Sequence, residues 1–330
     1  MKPPHRRSGA DRNPPPPGPS PGPSPGPARP AQGRLGRFQG QPQGQSQEQS
    51  KGQSQGQFQG QFQGQFQGRP FRPARPPALR PEEAPRGTLW LSGAHAVAAA
   101  LANPARRLRR LLLTEEAEAA LAARRPPPWP LAAERVERAR LDQLLGPEAA
   151  HQGAALLVDP LTPPPLARVL ERPGPILVLD QIADPRNIGA ILRAAAAFAA
   201  CGAIVQERHA PGETGTMAKA AAGALETVPL LRAVNIARTL VALKAAGFWV
   251  VGLDAGGQAL SGPALAGRRV ALVLGGEGAG LRRLTRETCD EIAGLPMPGA
   301  MESLNVSAAA AVALYEISRP AIFSPVQTRN

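Results

Sequence analysis

Ile176-Leu177-Val178-Leu179-Asp180 is apolar at four consecutive positions and then ends in an acid. A strand with one face in water alternates apolar and polar residues. One that is apolar throughout has to be covered on both faces, which is the habit of parallel sheets. Asp184-Pro185 follows, an N-cap residue with proline at the first helical position. The predicted helix buries Ile188, Ile191, Leu192 and Ala195 and leaves Asn187 and Arg193 as polar exceptions. The alternation then continues: a strand at Ala203–Val205, a helix at Asn235–Ala246 closed by Gly247, and strands at Phe248–Leu253 and Val270–Leu274. Helices at Thr285–Ile292 and Ala308–Tyr315 complete it. This order predicts an α/β fold, a mostly parallel sheet flanked by helices over residues 175–320. Ligands of such sheets bind beyond the carboxyl ends of the strands. The loops placed there, Asp180–Arg193, Gly275–Gly280 and Leu295–Ser307, carry the unusual polar residues.

A smaller α/β module is predicted before it, over 87–160. Its expected elements are strands at Leu89–Gly93, Leu108–Leu113 and Ala154–Val158, with helices at Ala94–Leu101, Glu115–Arg124 and Ala132–Leu145. His151-Gln152-Gly153 is a turn. Arg106, Arg107, Arg109 and Arg110 form the module's only dense basic patch, read either as solvated surface or as an RNA contact. The Pro-rich segment 161–174 reads as a linker with one helical turn at Leu166–Leu170.

The 330 residues leave room for about two domains. Of the net charge of +13, residues 1–86 hold +9 and residues 87–330 hold +4. Pro14–Pro30 is largely Pro, Gly and Ser, and Gln39–Gly68 is a Gln-Gly tract, so this tail buries too little apolar surface to fold alone and is expected to be disordered. It nonetheless holds five of the eight phenylalanines, at 38, 58, 62, 66 and 71. Arginines beside spaced aromatics suit loose binding of single-stranded RNA; an inert solubilising tail is the other reading. Residues 321–330 form a short C-terminal tail. Cys201 and Cys289 are the only cysteines, and the four histidines lack ligand spacing, so neither a disulfide framework nor a metal site is expected. No apolar run reaches about 18 residues and the N-terminus lacks a signal-peptide core, so no membrane contact is expected and a cytoplasmic location is.

Gly275-Gly276-Glu277-Gly278-Ala279-Gly280 follows a strand, but it is neither G-x-G-x-x-G nor a P-loop. In Pro296–Ser307, two prolines and a glycine give way to Ser303, Asn305 and Ser307 at a helix N-terminus, where free N–H groups can face a polar ligand.

Taken together, Asp184-Pro185-Arg186-Asn187-Ile188-Gly189-Ala190-Ile191-Leu192-Arg193, Leu274–Leu281 and Pro296-Met297 through Ser303-Leu304-Asn305-Val306-Ser307 resemble, in order and spacing, the three motifs of the SpoU/TrmH class of SPOUT RNA methyltransferases. The likeness covers about residues 88–320. Leu281–Arg286, Cys289-Asp290-Glu291 and His151-Gln152-Gly153 are closest to the branch that methylates a guanosine 2′-hydroxyl in large-subunit rRNA. Gly276 departs from the Ala or Ser common there, and the tail lies outside the pattern.

The resemblance implies a deep C-terminal trefoil knot through which Leu295–Ser307 is threaded. It also implies an L30e-like RNA-binding module at 87–160, a homodimer, and S-adenosylmethionine held by Gly275, Leu295 and Leu304. Arg193 would be the catalytic residue. Its high pKa makes it a poor base, so it is expected to hold a phosphate and polarise the ribose hydroxyl. Asn187 would orient ribose or Arg193, Glu277 would fix Arg193 or the loops, and Ser303 and Asn305 would position the nucleotide and the knot. A non-catalytic RNA-binding relative, a dinucleotide oxidoreductase and a tRNA methyltransferase are the alternatives.

Overall fold

The protein is described by a computed structural model over residues 84–146, 149–276, 278 and 280–323. The expectations for the basic tail, the C-terminal tail beyond 323 and Glu277 lie outside these residues.

The first sheet has four strands: β1 (Leu89–Ser92), β2 (Leu108–Leu113), β3 (Ala133–Arg135) and β4 (Ala154–Val158). Their order is β1-β4-β2-β3, antiparallel except for the parallel pair β2–β3. Helices α1 (Ala94–Ala102), α2 (Glu115–Arg124) and α3 (Arg138–Leu145) cover it. Thr114 caps α2 through the Ala117 N–H at 3.3 Å. The expected helix at Ala132–Leu145 is instead β3 followed by α3, because 133–135 run along β2 in register with Leu111–Leu113. His151 is fully buried: Nδ1 accepts the Gly153 N–H at 3.1 Å, so Nε2 carries the proton and meets Asp142 Oδ1 at 2.9 Å. Gln152 Oε1 accepts the Ala94 N–H at 3.1 Å. This tripeptide is therefore a structural corner.

The second sheet has six strands, all parallel, in the order β10-β8-β9-β5-β6-β7. They are β5 (Ile176–Asp180), β6 (Gly202–Gln206), β7 (Leu230–Ala233), β8 (Phe248–Ala259), β9 (Arg269–Gly275) and β10 (Glu291–Gly294). The helices are α4 (Leu166–Leu170), α5 (Pro185–Ala197), α6 (Gly215–Ala221), α7 (Ile236–Ala245), α8 (Arg283–Thr288) and α9 (Val306–Phe323). The helix expected at Thr285–Ile292 is shorter, because Glu291–Gly294 leave it to pair with β8.

The continuous apolar strand has the expected burial on both faces. Leu177 and Leu179 pack with Ile188, Ile191 and Leu192 of α5 and with Ala310 and Leu314 of α9. Ile176 and Val178 pack with Ile236, Leu240 and Leu243 of α7. Each such side chain contributes roughly 1.5–3 kcal/mol on burial. Gly189 makes α5 and α6 meet closely: a Cβ there would stand 2.4 Å from the Met217 carbonyl oxygen.

From β5 the chain winds outward through β6 to β7, then returns to the far side and fills in β8, β9 and β10. The winding reverses between β5 and β9, so a crevice opens at their carboxyl ends, where Asp180 and Gly275 stand in register. The two sheets share one core, in which Leu89, Leu91 and Val97 join the α5 face of the second sheet. Among the described residues no helix is long and apolar enough to cross a membrane.

Candidate active site

A cavity of about 680 Å³ lies at the carboxyl ends of β8, β9 and β10. Leu253, Leu274, Leu295, Leu304, Val306 and Ala309 form its apolar lining, and Asp254, Glu302, Ser303 and Asn305 supply side-chain polar groups. Its backbone wall is Gly275, Gly276, Gly278 and Gly280. The glycines are required by how tightly this loop folds back: Gly276 and Gly280 form a β-bridge, and a Cβ on Gly275 would stand 2.2 Å from the Gly280 carbonyl carbon. Side chains are thereby excluded from one wall, leaving backbone amides and carbonyls to meet a ligand.

The loop is anchored from beneath. Asp180, fully buried at the end of β5, accepts Arg282 Nε at 2.8 Å and the Arg282 backbone N–H at 3.3 Å. Arg286 pairs with Asp254. Sequence reasoning missed Asp254 and Met297 as lining residues. A signal for Asp254 was present, an acid immediately after the predicted strand Phe248–Leu253.

Asp184 caps α5 through the Arg186 N–H at 2.8 Å, which sets Asn187 in the first turn. Asn305 does the same for α9, with its Oδ1 accepting both Ser307 N–H at 2.9 Å and Ser307 Oγ at 2.6 Å. Because a backbone N–H can only donate, the amide orientation is set, and Nδ2 donates to Asn187 Oδ1 at 3.1 Å. This bond joins the first and third polar loops across 118 residues of sequence. Arg193 is exposed on α5, six residues and about 9 Å along the axis beyond Asn187. It has no hydrogen bond or ion pair with the described residues. Thus Gly275, Leu295, Ser303, Leu304 and Asn305 share one cavity; Asn187 joins through Asn305, and Arg193 stands outside the lining.

The expectation for the arginine patch is corrected at Arg106. Arg106 is 4% exposed, its guanidinium enclosed by Glu213 and Glu226, and so offers no surface to RNA. Arg109 makes a bidentate pair with Asp159 at 2.8 and 2.7 Å, and Arg110 one with Glu134 at 2.8 and 2.7 Å. Those bonds hold both carboxyls below their usual range. Arg107 remains 80% exposed at its side chain.

The molecule is thus an α/β protein whose cavity is lined from β8, β9, the loop after β9 and the loop before α9 of its parallel sheet, with a second sheet packed beside it. Residues 174–315 match the SpoU rRNA methylase family, and residues 90–164 match the module described as RNA 2′-O ribose methyltransferase substrate binding. The chain is 42% identical over 187 residues to the 23S rRNA (guanosine-2′-O-)-methyltransferase RlmB of Nitrosomonas europaea, covering 56% of this chain and 72% of that one. An uncharacterised tRNA/rRNA methyltransferase of Synechocystis is 39% identical over 257 residues, 75% of this chain and 66% of its own length. Against it and the mycobacterial relatives, the match spans 60–66% of their length. The SpoU methyltransferase AviRb of Streptomyces viridochromogenes, solved with S-adenosylmethionine, superposes with a TM-score of 0.59 at 25% identity, over 72% of this chain and 92% of that one. This chain belongs to the SpoU family of RNA methyltransferases.

Proposed function

We propose that the protein is an S-adenosylmethionine-dependent RNA 2′-O-methyltransferase whose substrate is a guanosine in large-subunit rRNA. The observation that carries this reading is that the second and third polar loops line one cavity, to which the first is tied by the Asn305–Asn187 hydrogen bond. The cavity suits the cofactor. Its volume lies in the range of small-molecule sites, its leucines suit a flat purine, and its glycine wall and the Ser303–Asn305 turn suit polar edges. Gly275, Leu295 and Leu304 would hold the cofactor, which when bound supplies an electrophilic methyl group.

The chain's own residues then have to align a ribose hydroxyl and manage its proton. Arg193, charged and exposed, would grip the phosphate beside the target ribose and polarise the hydroxyl. Asn187, its carbonyl held by Asn305, would set the ribose, while Ser303 and Glu277 would order the surrounding loops. A knotted path for 295–307, a homodimer and a cytoplasmic location belong to the same reading. The dimer is supported by Val312 and Tyr315, which stand 47% and 44% exposed on α9.

The test is to incubate the full chain and labelled S-adenosylmethionine with unmodified 23S rRNA and, separately, with tRNA, and to map 2′-O-methylation. One labelled rRNA guanosine supports the reading. Label in tRNA alone would move the substrate and leave the chemistry standing; no transfer to either RNA would overturn it.

A further inference from the structure

Arg106 is the most deeply buried charge among the described residues of the first sheet's module, and its carboxylate partners belong to the second sheet. Its Nε and Nη2 reach Glu226 at 3.1 and 2.5 Å, and its Nη1 meets Glu213 at 2.7 Å and donates to the Asp159 carbonyl at 3.1 Å. The arginine side chain is 0% exposed and the two glutamates 8% and 5%. Glu226 also accepts Asn103 Nδ2 at 2.7 Å, and Glu213 accepts the Leu161 N–H at 2.9 Å. The second carboxylate is therefore bonded to the first residue of the connecting segment. Burial alone would lower the arginine's pKa, but the two carboxylates outweigh it and raise it, so the charge persists. Backbone packing around this cluster is equally close: a Cβ on Gly215 would stand 2.4 Å from the Trp90 carbonyl oxygen, and one on Gly223 would stand 2.8 Å from Ala99 Cβ. The connecting segment is itself fastened, with Val169 of α4 fully buried in the second sheet's other core.

We propose that Arg106 is a positioning residue, which with Glu213 and Glu226 locks the RNA-reading module onto the catalytic sheet so that the distance from RNA contact to methylated ribose is fixed. The inference rests on the methyltransferase reading above. A locked module makes the second RNA contact intramolecular at one geometry; a swinging one lowers its effective concentration and admits neighbouring riboses. Removing only the arginine leaves two buried carboxylates on the second sheet's side without their cation, and the interface has to open for water to reach them. Removing all three charges together is far less costly.

The full chain is compared with Arg106→Met, with the milder Glu213→Gln, and with the triple variant Arg106→Met/Glu213→Gln/Glu226→Gln. The probes are 23S rRNA, S-adenosylmethionine, and trypsin acting after Arg168 of the connecting segment. Arg106→Met is expected to raise the apparent KM for rRNA about tenfold or more, with kcat within about twofold, the signature of lost binding rather than lost chemistry. Cofactor affinity should stay unchanged, methylation should spread to adjacent riboses, and cleavage after Arg168 should speed up. Glu213→Gln should move the same readouts less, and keeps the test intact if Arg106→Met does not fold. The uncharged triple variant should regain site selectivity and trypsin resistance. Unchanged KM and cleavage in both single variants would overturn the proposal. So would a triple variant as defective as Arg106→Met, because the arginine would then act through its charge on RNA. A parallel fall in cofactor affinity, kcat and melting temperature would also overturn it, as a general loss of stability. Cleavage does not depend on activity, so it judges the lock even if wild-type protein leaves rRNA unmodified.

Discussion

Asn305 performs two tasks with one amide, and two substitutions separate them. Its Oδ1 caps α9 and its Nδ2 holds Asn187. Asn305→Ala removes both and should cost about 1 kcal/mol of stability as well as activity. Asn305→Asp keeps the capping oxygen but has no donor for Asn187. Denaturant unfolding should therefore leave Asn305→Asp close to wild type while its kcat on rRNA falls as far as that of Asn305→Ala; equal activity of Asn305→Asp and wild type would mean the Asn187 bond is idle. Arg193→Ala tests a different role. An exposed arginine without a partner among the described residues contributes little to folding, so melting temperature and cofactor affinity should hold while turnover drops about 10²-fold or more. Calorimetry and a single-turnover assay on the same preparation check both halves.

At the scale of elements, the close contact of α5 and α6 turns a propensity argument around. In an isolated helix, Gly189→Ala would stabilise by about 1 kcal/mol. Here the added methyl would meet the Met217 carbonyl oxygen at 2.4 Å and Ala220 Cβ at 2.7 Å. The expected result is net destabilisation of about 1–3 kcal/mol, read as a lower urea midpoint. A midpoint above wild type would show that the two helices can move apart freely. The glycine within the Asn187–Arg193 motif is therefore a packing residue, although it sits among residues assigned to chemistry. Element types were legible where period and punctuation agreed: Leu108–Leu113, Glu115–Arg124, Ala154–Val158 and Ile176–Asp180 match the observed bounds. The reading gave no helix at α6 and failed at β3, β7 and β10, which are three, four and four residues long. A polar or mixed segment of that length acquires strand character only from the strand it pairs with.

For the whole molecule, the charge distribution makes a prediction independent of the fold. Residues 1–86 carry +9 of the net +13. A chain lacking residues 1–80 should retain cofactor binding and site choice but bind rRNA more weakly. Its slope of log affinity against log salt should be shallower by about 0.7–0.9 for each phosphate that the shortened chain no longer neutralises. Filter binding across a salt series checks this, and an unchanged slope would assign the tail no part in RNA binding.

Composition and pattern by themselves determined the α/β class, the burial of β5 on both faces, the cap at Asp184, and the three loops from which the site is built. All of these follow from period, turn residues and short-range capping, which act over a few residues. What only the tertiary structure decided was which residues meet across the chain. The Asn187–Asn305 bond spans 118 residues and the Arg106–Glu226 pair spans 120. Arg106, Arg107, Arg109 and Arg110 look alike in sequence, yet the first is buried at the module interface, the last two are held half-exposed by bidentate carboxylates, and Arg107 stays largely in solvent with Asp159 at 3.8 Å. A side chain's charge is written in its residue type, whereas its burial is set by what the rest of the chain brings up against it.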